Sequence, residues 1–126
     1  MLVVEASGTA SPGTVWRRYS RASEWPSWAP QIRRVSGAGD PVAPGDRGWV
    51  HGPVFLRVPF TILDVDLDDR RWRWRVGVGQ AAVEMEHGVD PTPGGSRAWV
   101  RIGVPAPLAL PYAPLARVAL GRLVRP

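Results

Sequence analysis

The six residues Arg71-Trp72-Arg73-Trp74-Arg75-Val76 admit very few folds. Arginine alternates with a bulky apolar side chain without exception. In an extended strand this places Arg71, Arg73 and Arg75 on one face and Trp72, Trp74 and Val76 on the other. Such a strand is half-buried, which an antiparallel sheet with one solvated face provides. Two further segments follow the same rule. Val83-Glu84-Met85-Glu86-His87-Gly88-Val89 alternates strictly, and Ala98-Trp99-Val100-Arg101-Ile102 does so except that Trp99 falls among the arginines.

Turn chemistry links the three. Gly79-Gln80 reads as a two-residue hairpin turn, which sets Arg75 opposite Glu84 and Arg73 opposite Glu86. A turn through Pro91-Thr92-Pro93-Gly94-Gly95 then brings Arg101 beside Glu84 and Trp99 beside Glu86. The outer face becomes a ladder of Arg–Glu–Arg pairs. The inner face becomes three rows: Trp72, His87 and Ala98; Trp74, Met85 and Val100; Val76, Val83 and Ile102. This is an apolar wall with one imidazole in it.

The remaining elements follow from local signals. Leu2 to Thr9 is a strand with Leu2, Val4, Ala6 and Gly8 on one face, where Ala6 and Gly8 leave space. Ser11 caps a helix with Pro12 at its first position; Val15, Trp16 and Tyr19 give it an apolar face, and it ends near Ser20. A second short turn, Ser23 to Trp28, is interrupted by Pro26 and closed by Pro30. Ile32 to Ser36, Asp46 to Gly52 and Phe55 to Val65 are strands. Val58, Phe60 and Ile62 share one face of the last, Leu63 and Val65 fall on the other, and a bulge near Leu63-Asp64 reconciles them. Four prolines (Pro105, Pro107, Pro111, Pro114) delay the final helix to about Tyr112. Tyr112, Leu115, Ala116, Ala119, Leu120, Leu123 and Val124 line one side of it, with Arg117, Arg122 and Arg125 on the other. That helix is expected to cover the inner face of the sheet, the alternative being a membrane surface.

The motifs A-S-P-x-x-V-W and W-P-x-W-x-P-x-I-x-x-V between Ala10 and Val35, then Pro44-Gly45-Asp46-Arg47, the x-V-D-x-D-D-R-R-W-x-W stretch from Asp64 to Trp74, and His87 followed by Pro93-Gly94-Gly95-Ser96-Arg97, occur in an order that resembles the START-like (SRPBCC) superfamily in its polyketide cyclase/dehydrase branch. The resemblance spans nearly the whole chain and implies an α+β helix-grip fold. In that fold a curved antiparallel sheet of about seven strands, in β-α-α-β6-α order, wraps around a C-terminal helix. It also implies a cavity between sheet and helix that takes hydrophobic or aromatic small molecules, polyketide-like or lipid-like. The chain departs from the family in its short, proline-preceded terminal helix, which points to a cavity that is shallow, open at one end or completed by a partner.

Composition sets the outer bounds. At 126 residues the chain is expected to form a single domain, 1–126. It holds no apolar run of about 18 residues for a membrane span. Met1 to Glu5 carries no basic region ahead of an apolar stretch, so no signal peptide is expected and the expected compartment is the cytoplasm. The net charge is +5, but every basic residue is arginine, and lysine and asparagine are absent. A GC-rich genome, such as an actinobacterial one, yields that composition by itself. The arginines are also spread along the chain, so a nucleic-acid partner is not expected. With no cysteine and only two histidines lacking aligned carboxylates, neither a metal nor another cofactor is expected.

The candidate ligand-binding residues are Trp28, Phe60, Trp72, Trp74, Met85, His87, Val100 and Tyr112. His87 is the leading group for chemistry, as an acid–base toward an enolising ketone, the alternative being a core histidine hydrogen-bonded to backbone or water. Trp72 and Trp74 either stack on a flat ligand or fill the core. Trp25 and Trp28 form a lid over the cavity or anchor the second helix. Tyr112 offers its hydroxyl to the cavity or caps its wall. His51, near a turn, is expected to be solvated, and Asp64, Asp66, Asp68 and Asp69 to be turn residues. The expected function is binding of a hydrophobic or aromatic small molecule. One alternative is a polyketide cyclase/dehydratase that promotes aldol closure and water loss; another is a protein-interaction module. The possibility of a homo-oligomer stays open.

Overall fold

The computed structural model describes residues 1–126, apart from the side chain of Ala106. The chain runs β1 (Leu2–Gly8), α1 (Pro12–Ser20), a 3-10 turn (Ala22–Glu24), α2 (Trp25–Trp28), β2 (Arg34–Ser36), β3 (Arg47–His51), β4 (Arg57–Asp66), β5 (Arg71–Val76), β6 (Val83–Thr92), β7 (Gly95–Ile102), α3 (Ala106–Ala109), a 3-10 turn (Leu110–Tyr112) and α4 (Ala113–Leu123). The seven strands form one antiparallel sheet in the order β1-β7-β6-β5-β4-β3-β2. The sheet curves around the helices, which is the helix-grip architecture.

The local signals act as their chemistry dictates. Ser11 Oγ accepts the Thr14 N–H at 3.1 Å, and Pro12 opens α1. Pro26 sits in the first turn of α2, where its missing N–H costs nothing; it starts that helix rather than interrupting it. A proline likewise stands in the first turn of the Leu110–Tyr112 segment and of α4, so the prolines divide the C-terminal stretch into short pieces. The β4–β5 register shifts between Ile62 and Asp64, placing the bulge at Leu63. Phe60 and Ile62 are buried by it, and Val65 comes opposite Trp72.

One connection and one pairing differ from expectation. The β5–β6 register matches the predicted one, with Arg75 opposite Glu84 and Trp72 opposite His87. However, a turn at Gly79–Ala81 makes the connection instead of a two-residue hairpin. On the other side, β6 continues through Pro91 and Thr92 to a tight Pro93-Gly94 turn. Pairing therefore slides by two residues: Glu86 faces Arg101, Gly88 faces Trp99, and His87 faces Val100 rather than Ala98. Trp99 lies over Gly88, where a Cβ would fall 2.3 Å from the indole, and the Arg71 and Arg101 guanidinium groups flank its ring at 5.3 and 5.8 Å. On the outer face Arg73 pairs with Asp64, Arg75 with Glu84, Arg97 with Asp90 and Arg101 with Glu86.

The C-terminal helix is held at one end. A Cβ on Gly8 would lie 2.4 Å from the Val124 carbonyl oxygen, so only glycine permits this approach to β1. The Ala10 N–H donates to that carbonyl at 3.0 Å. Arg18 of α1 donates to the Leu123 and Arg125 carbonyls at 2.8 and 2.6 Å. It satisfies orphan acceptors and places positive charge at the negative end of the helix.

The β3–β4 connection is strained. The Leu56 N–H donates to Pro53 C=O across Val54 and Phe55, whose φ angles are +52° and +61°. Left-handed backbone costs a side-chain-bearing residue roughly 1–2 kcal/mol, and tight hairpins with two such positions favour Asn-Gly. Both side chains are exposed, so removing them forfeits no burial. Val54→Asn/Phe55→Gly is expected to stabilise the protein by about 1–2 kcal/mol, raising Tm by roughly 3–8 °C in a calorimetric scan.

Candidate functional site

A cleft of about 410 Å³ lies between the sheet and α4. The α2 segment and the strands supply Trp25, Trp28, Ile32, Trp72, Trp74, Met85, His87 and Val100, and α4 supplies Leu115, Ala116, Ala119 and Leu120. Gln31, Pro53, Leu56 and Tyr112 line it and are exposed, so they mark its opening. None of its lining residues is charged, although the chain carries 16 arginines and 11 acidic residues.

The closed end of the cleft is an aromatic cluster. Trp25 stacks on Trp72 at 5.3 Å, and Trp72 stacks on the His87 imidazole at 4.5 Å, nearly parallel. Trp74 meets Trp25, Trp72 and Phe60 at 5.2 to 5.5 Å. Tyr19 presents edges to Trp28 and His87 at 5.6 Å each. Geometries of this kind add to plain area burial. Three polar groups tie the cluster to backbone. Trp25 Nε1 donates to Tyr19 C=O at 2.8 Å, Trp28 Nε1 to Arg18 C=O at 3.2 Å, and Tyr19 Oη to Trp99 C=O at 3.1 Å. Burial pushes the Tyr19 pKa well up, so this hydroxyl remains a donor.

His87 stands apart electrostatically. Burial alone pushes its pKa down to about 3, and no acidic side chain offsets that. Neither ring nitrogen has a protein partner, nor do the indole nitrogens of Trp72 and Trp74. All four atoms are buried, although His87 is among the residues that line the cleft. The imidazole is therefore neutral and packs as a flat aromatic.

The model of the family described as polyketide cyclase / dehydrase and lipid transport matches residues 1–126. The chain belongs to that family. No curated protein matches its sequence significantly. Among solved structures, a Mesorhizobium loti protein is similar at TM-score 0.76 and 16% identity, over 97% of this chain and 94% of that one. A Nitrosomonas europaea protein gives TM-score 0.74 and 15% identity over 97% and 92%. Ara h 8.0201 gives 0.71 and 13% over 97% and 92%. At these identities the likeness concerns the fold.

In this member of the polyketide cyclase/dehydrase and lipid transport family, Trp28, Trp72, Trp74, Met85, His87, Val100 and Tyr112 come together around the cleft. Phe60 does not: it is buried behind Trp25 and Trp74 and forms no part of the lining. Trp25 and Trp28 are buried and hydrogen-bonded to backbone, so they are fixed wall rather than a lid. Tyr112 is 55% exposed at the rim. His51 lies outside the cleft, 3.1 Å from Ser36 Oγ. Asp66 accepts the Asp68 and Asp69 N–H groups in a turn. Sequence reasoning missed Trp25 as lining. The signal was present, because residues three apart in one helical turn share a face.

The state of His87 predicts an acid limb. Its pKa is near 6.5 when unfolded and about 3 when folded, so the unfolded chain binds more protons between those values. The stability that His87 contributes is complete above pH 6.5 and is lost as pH falls toward 3. It amounts to a few kcal/mol, roughly, over the whole window. His87→Phe, which keeps a ring on Trp72, is expected to flatten the fall in Tm between pH 6.5 and 4. Parallel profiles for both proteins would show that the folded imidazole takes up a proton.

Proposed function

We propose that the protein binds an uncharged hydrophobic or aromatic small molecule in the cleft between the sheet and α4. The observation that carries this reading is the uncharged lining in a chain that carries 16 basic and 11 acidic side chains. A void of about 410 Å³ falls within the usual range for small-molecule sites. Its walls offer flat indole surface, aliphatic side chains and, at the rim, only Gln31 and the Tyr112 hydroxyl as mobile polar groups. Burying a carboxylate or phosphate there would leave the charge unpaired, which is costly. Membership of a family described by polyketide cyclisation and lipid transport is consistent with cargo of this type.

The alternative is catalysis of cyclisation and dehydration, with His87 as acid–base. A proton-transfer group must reach the atom it serves, and both His87 nitrogens are closed off within the aromatic cluster. This favours binding over turnover.

The test uses N-phenyl-1-naphthylamine, a neutral probe that brightens in apolar sites. Saturable enhancement is expected for the wild type and its loss for Ala119→Phe, which fills the cleft from α4. 2-Naphthol is expected to displace the probe at least about tenfold better than 2-naphthoate at neutral pH. No saturable signal, or an unchanged one in Ala119→Phe, would sink the reading.

A further inference from the structure

The opening of the cleft carries a feature that ligand binding does not require. Between β3 and β4, Val54 is 82% exposed and Phe55 fully exposed, and Leu56 beside them is exposed as well as lining the cleft. The left-handed backbone at Val54 and Phe55 holds these side chains at the apex of the hairpin. Polar Asn-Gly would suit this turn better, so local folding preference does not account for the apolar residues there.

The base of the same hairpin is cationic. Arg33 donates its backbone N–H to His51 C=O at 2.7 Å, Arg34 pairs with His51 across β2–β3, and Arg57 pairs with His51 across β3–β4. Their side chains are all exposed, and among the described residues none of the three forms an ion pair, whereas Arg73, Arg75, Arg97 and Arg101 over β5–β7 are matched with carboxylates and Arg71 lies over the Trp99 ring. No acidic residue occurs between Glu24 and Asp40 or between Asp46 and Asp64. Trp49, also exposed, lies under Arg57 at 4.5 Å.

We propose that this hairpin docks on a bilayer surface bearing anionic headgroups, with Val54 and Phe55 in the acyl boundary and Arg33, Arg34 and Arg57 against the phosphates. An apolar apex, a cationic collar and an adjacent tryptophan match the layers of such an interface in order. Two apolar side chains give shallow, reversible attachment, and each arginine near the surface adds roughly fivefold in affinity. Pro53 and Leu56 belong to both the hairpin and the cleft wall, so docking sets the cleft opening toward the bilayer. The proposal does not depend on the cleft being occupied.

The experiment is co-sedimentation with vesicles of phosphatidylcholine alone and of phosphatidylcholine with about a third phosphatidylglycerol, at low and moderate salt. The wild type is expected to bind the anionic vesicles, more weakly as salt rises. Phe55→Asp, whose site is solvent-exposed, should reduce binding at least tenfold with an unchanged circular dichroism spectrum. Val54→Asn/Phe55→Gly should bind as poorly while being the more stable protein, which separates docking from folding. Replacing Arg33, Arg34 and Arg57 together by Gln should also abolish binding. Wild-type protein that stays in the supernatant, or Phe55→Asp that binds as well as wild type, would overturn the proposal. So would a dimer in light scattering that Phe55→Asp dissociates, because the apex would then belong to a second copy of the chain.

Discussion

Everything about the cleft follows from how closely α4 approaches β1 at its C-terminal end. The Val124 carbonyl occupies the place that any side chain on Gly8 would need, and it accepts the Ala10 N–H there. Arg18 grips the next carbonyls from α1. Leu123 and Val124 are buried by this contact, while Ala116 and Leu115, about two turns earlier, are half-buried and Tyr112, about three turns earlier, is exposed. The cleft lies between the sheet and this earlier part of α4, and it opens where Gln31, Pro53, Leu56 and Tyr112 are exposed.

The narrow end is filled by aromatic rings rather than aliphatic ones, and this has an electrostatic consequence. A buried imidazole between Trp72, Tyr19 and Trp74 has no solvent and no carboxylate to support its cation. Neutrality costs little at physiological pH, and the ring then stacks as an aromatic. Charge is instead concentrated on the outer face, where strand alternation delivers it. The same alternation in β5 that exposes Arg73 and Arg75 buries Trp72 and Trp74, so the uncharged lining and the charged exterior are two sides of one sequence pattern.

That pattern explains which parts were legible beforehand. The β5–β6 register and the bulge at Leu63 could be read from the sequence because a one-residue slip would have turned tryptophan outward and arginine inward. The β6–β7 register was misjudged by two residues, a shift that preserves faces and so leaves no trace in the pattern. It was decided by the tight Pro93-Gly94 turn, and Gly88 beneath Trp99 was the available clue. Phe60 alternates correctly yet sits behind Trp74, because alternation specifies a face and not a distance from the helix. Arg18 was invisible as a helix cap, since its partners at Leu123 and Arg125 lie more than a hundred residues away and any cation can serve carbonyls.

Strain and exposure at the β3–β4 hairpin belong to the same logic. Positions that violate local preference without a compensating contact in the fold mark places where something other than folding sets the residue. Most such violations in this chain resolve internally: Gly88 in a strand accommodates Trp99, and Pro26 and Pro114 open helices. Val54 and Phe55 do not resolve, for their side chains touch solvent while their backbone occupies a region suited to glycine. They stand beside the opening of the cleft, over three arginines that the carboxylates of the outer face leave unmatched. On the proposed reading, an apolar molecule enters the cleft past this rim, where Pro53, Leu56 and Tyr112 are exposed. The region left unclosed by the short terminal helix is thus the region where the surface itself is least like that of a protein meant to face only water.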